Sequence, residues 1–319
     1  MHRLRIYSIL FILCLPLGIM AQNSSLKAVH KEDGILVREG DQKVLFYQKA
    51  PKSHNGEYTR NNYIHPLYDL DGNLLTEDFP EDHLHQRGIY WAWHQVIVDG
   101  KNMGDMWLTE GFDWEVESVD TKLEAQKLIL EPVVLWKSSG FKDDEGNKTP
   151  FVREKTTIAI HPKNNGRRAI DFTISIHALQ NNVYIGGSDN EKGYGGFSLR
   201  IKLPEDITFT ANYGQVQPQT TAIPASPWMN FSGSFTKDNP SGLLVLCHPS
   251  SSGFPQEWII REKGSMQNPV YPGRKPVLVS QSQPIILRYR MVIYKDKPDK
   301  NTIDQLVSDY KNKQVIDYQ

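Results

Sequence analysis

Cysteine is almost missing from this chain. Two occur in 319 residues, Cys14 and Cys247. Cys14 falls in an apolar leader, so a processed chain keeps one thiol and has no internal disulfide. Cys247 ends the run Leu-Leu-Val-Leu-Cys and reads as a buried core thiol. An excess of charge is missing too: 36 basic residues meet 37 acidic ones, for a formal net charge of −1. That excludes the electrostatic footprint of a protein that binds nucleic acid or an anionic membrane. After the leader, no apolar run is long enough for a membrane-spanning helix. There is no internal repeat, coiled coil, low-complexity tract or tight four-ligand metal motif, and helical periodicity is nearly absent.

Residues 1–21 read as a signal peptide. His2, Arg3 and Arg5 form a basic start, Ile6 to Leu17 is apolar, and Gly18-Ile-Met-Ala21 before Gln22 suits cleavage. The expectation is an exported protein, periplasmic or secreted. The remaining 22–319 has ordinary globular composition, 39% hydrophobic and 23% charged over the whole chain. It reads mostly as strands. Gly34 to Arg38 and Lys43 to Tyr47 flank a hairpin turn at Glu39-Gly-Asp. Further strands are expected near 89–98, 114–119, 127–136, 153–161, 169–179, 196–202, 242–248, 257–261 and 285–294. Ile170, Phe172, Ile174 and Ile176 alternate with polar residues, as in a half-buried antiparallel strand. One helix is expected at the end, capped by Asn301 or Thr302, with Ile303, Leu306, Val307 and Tyr310 at helical spacing. Many strands with Gly/Asn/Pro turns and no β-helix-β alternation mean an all-β protein. We expect a large two-sheet antiparallel β-sandwich with a short C-terminal helix. No linker composition divides it, so one domain over 22–319 is expected.

Chemistry concentrates in Asp78-Phe-Pro-Glu-Asp-His-Leu-His-Gln-Arg-Gly-Ile-Tyr-Trp-Ala-Trp-His94. These seventeen residues hold three of the ten histidines. The first half is polar and ends a long connection, 51–87, of the kind that is usually functional. The second half, from Gly88, reads as a strand. If extended backbone runs back past Gly88, His83, His85, Arg87, Ile89, Trp91 and Trp93 share a face. If the glycine breaks the strand, that alignment is lost.

Tyr63-Ile-His-Pro-Leu-Tyr, the Asp78–Gly88 segment, Gly195-Gly-Phe-Ser-Leu-Arg200 and Glu257-Trp-Ile-Ile-Arg-Glu-Lys-Gly264 resemble the bacterial PmoA-like proteins. The family name implies a methane oxygenase subunit, which is an integral membrane protein, and this chain offers no spanning helix. Gln86 stands where many members carry a further histidine. The family is also similar to the galactose-mutarotase-like supersandwiches, which implies sugar chemistry.

Three readings follow. The first is a carbohydrate-processing enzyme: a hydrolase, lyase or epimerase. His83 or His85 would transfer protons with Asp82, Asp78 or Glu110 as carboxylate partner. Arg87 would hold a carboxylate or developing oxyanion. Trp91, Trp93, Trp107 and Trp258 would stack on sugar rings, with His65, Gln86, Glu257 and Arg261 as further contacts. The second is a metal-dependent enzyme using zinc, iron or copper, with His83, His85 and His65 as ligands; no cofactor is otherwise implied. The third is a non-catalytic sandwich that binds glycans or proteins. The partner in the first reading is a small molecule or oligosaccharide. Nothing in the sequence sets the oligomeric state.

Overall fold

The computed structural model describes residues 25–235 and 241–312. The expected signal peptide lies outside them. The alternating segment forms the strand Arg167–Ala178, with Ile170, Phe172, Ile174 and Ile176 at most 1% exposed. It sits inside a nine-stranded sheet. The order there is Phe112–Glu124, Lys127–Ser138, Val152–Ile160, Arg167–Ala178, Ile285–Tyr294, Ser241–Cys247, Trp228–Gly233, Thr208–Ala211 and Gly214–Val216, with every pairing antiparallel.

A six-stranded antiparallel sheet runs Leu26–His30, Gly34–Glu39, Gln42–Gln48, Tyr63–Leu67, Ile89–Ala92 and Gly196–Leu199. A four-stranded sheet joins Val277–Val279, Val183–Gly186, Gln95–Val98 and Lys101–Asn102. The main buried cluster draws side chains from all three sheets. The protein is an all-β sandwich with one short C-terminal helix.

The large sheet is apolar on both faces, by period-2 alternation. Met229, Phe231, Leu243 and Val245 enter the main core. Trp228, Leu244, Leu246, Val292 and Tyr294 face the other way, onto Ile303 and Tyr310 of the helix Lys300–Lys311. Burying such side chains contributes about 1.5–3 kcal/mol each, which holds a helix too short to persist alone. The helix starts earlier than its sequence suggests. Asp299 is the cap, its side chain accepting the Thr302 N–H at 2.8 Å, so Asn301 and Thr302 already lie inside the first turn.

A fully buried carboxylate pins the six-stranded sheet to the nine-stranded one. Glu154 Oε1 accepts from Trp91 Nε1 at 2.7 Å, Asn62 Nδ2 at 2.9 Å and Thr156 Oγ1 at 3.0 Å, and Oε2 accepts from Trp136 Nε1 at 3.0 Å. Burial raises the carboxyl above its ordinary value, against the pull of those four hydrogen bonds.

The strand expected over 89–98 is two strands. Ile89–Ala92 pairs with Gly196–Leu199 in one sheet, and Gln95–Val98 pairs with Val183–Gly186 in another. The chain changes sheets at Trp93 and His94. At 257–261 only Trp258–Ile259 pairs as a strand, because Arg261 turns away into a loop.

Candidate functional site

Residues 78–88 do not continue the strand. The chain turns twice, with His83 N–H donating to Pro80 O at 3.0 Å and Gln86 N–H to His83 O at 2.9 Å. Gly88 is left-handed, with φ of +45°, and a side chain there would sit 2.0 Å from the Ile64 carbonyl oxygen. Its N–H donates to Glu77 O and its carbonyl accepts from Arg200 N–H. The glycine therefore breaks the strand, and the shared odd-numbered face is lost. The turns still bring His83 and His85 together, ring edge to ring face, with centroids 5.7 Å apart.

Two buried arginines hold this loop. Arg87 is fully buried. It donates to the Asp78 carboxylate, the Tyr63 hydroxyl and the Tyr58 carbonyl, and its guanidinium lies 3.4 Å from the Phe79 ring centre. Lys52 reaches the same carboxylate at 2.7 Å. Burial pushes Asp78 up, but Arg87 and Lys52 outweigh it and hold the carboxyl below its ordinary value. Arg87 is thus spent on the loop and is not open to a substrate oxyanion, contrary to the role expected for it. Arg200 is the second strut. It bonds Glu77 Oε2 at 2.7 Å, Gln86 Oε1 at 2.9 Å and Asp82 Oδ1 at 2.7 Å. Gln86 is accordingly buried and acts as a partner of Arg200 rather than as a ligand contact.

The histidines form a row from surface to interior. His83 is well exposed, and its Nδ1 lies 3.2 Å from Asp82 Oδ2. Burial pushes Asp82 up, and hydrogen bonds from His83 and Arg200 overcome it, so this carboxyl stays below its ordinary value. His85 is half-buried. Burial, helped by the charges of His83 and Arg60, lowers it from 6.5 to about 4, so its ring is neutral near neutral pH. His94 lies deeper, at the change of sheet. Its Nδ1 bonds Asp105 Oδ2 at 2.7 Å, while the other carboxylate oxygen accepts the N–H groups of Trp107 and Leu108, each at 2.9 Å. An ionised carboxylate only accepts, so the His94 proton sits on Nδ1. The ring stacks on Trp107 at 5.4 Å and meets Tyr194 edge-on at 4.9 Å. His94 Nε2 is buried and has no hydrogen-bond partner. Behind this group, the buried Arg60 guanidinium is sandwiched between Tyr90 at 4.8 Å and Trp114 at 4.7 Å.

Several expected residues stand elsewhere. Trp91, Trp93, Trp107 and Trp258 are 0–1% exposed, so none offers a stacking surface to a sugar. Their ring N–H groups explain the inward turn of three of them: Trp91 donates to Glu154, Trp93 to Tyr271 O and Trp258 to Ser226 O. Glu110 is exposed and pairs with Asp105 through its backbone; the carboxylate bonded to His94 is that of Asp105. Glu257 is exposed and supplies a backbone carbonyl to Val270 N–H. His65 bonds Thr76 Oγ1 at 2.9 Å and belongs to the Asp78–Arg87 side, where burial lowers it to about 4. His65, His83 and His85 therefore make no ligand set. Among the described residues, no three His, Cys, Asp or Glu side chains stand together as a metal shell requires. Arg261 is half-buried in the loop after Ile260. Sequence context does not single out Asp105 or Tyr194, and it shows Arg200 only as the end of the Gly195–Arg200 stretch, with no role. The one local signal was Gly104-Asp105, a small residue before an aspartate able to take backbone N–H groups in a turn.

Fold and site together define an all-β sandwich with a histidine–carboxylate centre among its edge loops. The chain belongs to a protein family of unknown function, DUF6807, which matches residues 34–308. No curated protein matches it. No described helix is long and apolar enough to cross a membrane.

Proposed function

We propose that the protein is an exported, carbohydrate-acting enzyme that works by acid–base chemistry, with His94 and Asp105 as its proton-transfer pair. One observation carries this reading: His94 Nδ1 is locked by Asp105, while Nε2 is buried without a partner. Buried polar atoms nearly always find partners. An imidazole with one nitrogen fixed as donor and the other left as a bare acceptor is set up to take a proton from a substrate.

Asp105 fixes the tautomer and would stabilise the imidazolium formed when Nε2 accepts that proton. Tyr194 is half-buried and packs on both His94 and Trp107, so it is the exposed side of the aromatic wall around the imidazole. His85, neutral, adds a second imidazole between the exposed His83–Asp82 pair and the interior. Hydrolysis, elimination and epimerisation each use a positioned proton-transfer group, which this pair would supply. The substrate class is supported by the mix of aromatic and polar groups left at the rim: Tyr194, His83, Asp82 and Arg261. The oxygenase suggested by the PmoA-like resemblance would need a metal shell, which the histidines do not form.

The test is turnover of plant and host glycans by the purified chain from Gln22 onward. His94→Gln should abolish activity and Asp105→Asn should lower it about 10²- to 10⁴-fold, each with the chain still folded and Tm lowered by only a few degrees. Retained turnover in His94→Gln would rule out the role given to it. A second reading, a non-catalytic glycan-binding sandwich, is favoured by how fully the 78–88 loop spends its polar groups on Arg87 and Arg200. It predicts saturable binding without product.

A further inference from the structure

The site's four guanidinium groups differ in what neutralises them. Arg87 is paired with Asp78, and Arg200 with Glu77 and Asp82. Arg60 and Arg261 donate only to neutral carbonyl oxygens. Arg60 bonds the carbonyls of Met106 and Trp107 and is sealed in. Arg261 is half-buried at the rim. Its Nη1 donates to the carbonyls of Gln219 and Ile260, and its Nη2 to that of Thr220 at 2.7 Å.

A guanidinium has five N–H groups. Those three bonds leave Arg261 with its Nε–H and one Nη2–H. The Nε/Nη2 edge is the side of a guanidinium that takes a carboxylate with two parallel hydrogen bonds, and the three bonds to carbonyls leave Nε–H on that edge unused.

Arg261 stands beside the acid–base centre. Gln267 grips Arg261 at both backbone ends, accepting its N–H at 2.9 Å and donating to its carbonyl at 2.8 Å. The next residue, Asn268, grips both backbone groups of Gly195, at 3.1 and 3.0 Å. Gly195 directly follows Tyr194, whose ring lies on His94. On its other side the Arg261 loop closes against Asp82. A Cβ added at Gly264, where φ is +60°, would fall 2.9 Å from Asp82 Oδ2. The loop from 261 to 264 therefore completes the rim between the Asp82–His83 pair and Tyr194. Its positive charge also lowers the Tyr194 phenol, against the stronger effect of burial and of Asp105.

We propose that the site takes a carboxylated sugar, a uronic acid unit, whose carboxylate is held by the Nε/Nη2 edge of Arg261. This rests on the reading of His94 and Asp105 as the reacting pair and names the substrate that pair would meet. A neutral hexose offers the guanidinium only hydroxyl and ring oxygens, with no charge to neutralise it and no planar pair of oxygens to match its edge. A two-pronged bond to a charged partner is worth about 10- to 100-fold in affinity.

Calorimetric titration of the mature chain with galacturonic, glucuronic and mannuronic acids, each against its neutral parent hexose, tests the proposal. At least one uronate should bind about 10- to 100-fold tighter than its parent. Arg261→Gln should remove that preference, so that the uronate and its parent hexose bind within about threefold of each other. Arg261→Lys keeps the charge without the planar edge and should keep only part of the preference; it decides the matter if Arg261→Gln fails to fold. The proposal is overturned if no uronate binds more tightly than its parent, if none binds at all, or if both variants keep the preference. Inorganic sulfate binding as tightly as the uronate also overturns it, since Arg261 would then be a general anion contact. Turnover of a neutral glycan that is lost in His94→Gln would remove this assignment while leaving the acid–base centre standing.

Discussion

Asp105→Asn tests the proton arrangement at His94 without needing a substrate. In the native site Asp105 Oδ1 accepts two backbone N–H groups, from Trp107 and Leu108, and Oδ2 takes the His94 Nδ1 proton. An asparagine has one acceptor oxygen. The two backbone donors claim it, because turning the amide over would set its NH2 against both of them. The NH2 must then face His94 Nδ1, and Nδ1 has to accept. The ring proton moves to Nε2, so the nitrogen that was a bare acceptor becomes a donor. The cost to stability is moderate. Three charge-assisted bonds of about 1.5–3 kcal/mol give way to neutral ones of about 0.5–1.5 kcal/mol, a net loss of about 1–3 kcal/mol in all. The cost to a base-catalysed step is large, about 10²- to 10⁴-fold, the full contribution of a positioned acid–base group. Nitrogen-15 NMR of the imidazole reads the tautomer directly. Wild type should show His94 protonated at Nδ1, and Asp105→Asn should show it at Nε2. An unchanged tautomer would falsify the argument, as would a loss of several kcal/mol, which would make Asp105 a structural residue first.

The remaining predictions concern stability. Glu154→Gln places an amide N–H against the indole N–H of Trp136; the lost bond and the unsatisfied donors should cost about 2–4 kcal/mol by urea denaturation. Adding Trp136→Phe should recover part of that loss, and strict additivity of the two changes would refute the pairing. Gly88→Ala forces a side chain into the Ile64 carbonyl at a left-handed backbone angle, so about 2–4 kcal/mol should be lost; a variant as stable as wild type would count against the strand break. His65 and His85 are both lowered from 6.5 to about 4. The unfolded chain takes up their protons first, so their stabilising contribution is complete above pH 6.5. It falls away as pH drops toward about 4, by at most about 3 kcal/mol for each group. Asp78 and Asp82, held low by their cations, add a further loss below that window. His65→Gln with His85→Gln should flatten stability between pH 6.5 and 4, and an unchanged slope in the double variant would contradict the burial argument.

What the sequence showed depended on how far each interaction reaches along the chain. Alternation over Ile170–Ile176 is a neighbour-to-neighbour pattern, and it became a strand with those residues inside. The dense stretch from Asp78 to His94 was visible as composition, and in the fold it carries the three histidines of the candidate site. The choice among its histidines was not visible, because partners across the fold make it. Asp82 sits next to His83 in sequence, yet its Oδ1 is bound by Arg200, 118 residues away. The tryptophans turned inward for the same kind of reason: the Trp91 N–H found Glu154, 63 residues on. The carboxylates near the site sort by what claims them. Asp78 is bound by Arg87 and Lys52, and Asp82 and Glu77 by Arg200. Asp105 alone among these four is bound by no lysine or arginine. Backbone N–H groups aim it, and they carry no net charge to weaken it as a partner for imidazole. His94 therefore faces the one carboxylate of these four that no arginine or lysine claims. That, more than its place in a histidine-rich motif, is the ground on which we propose it as the proton-transfer residue.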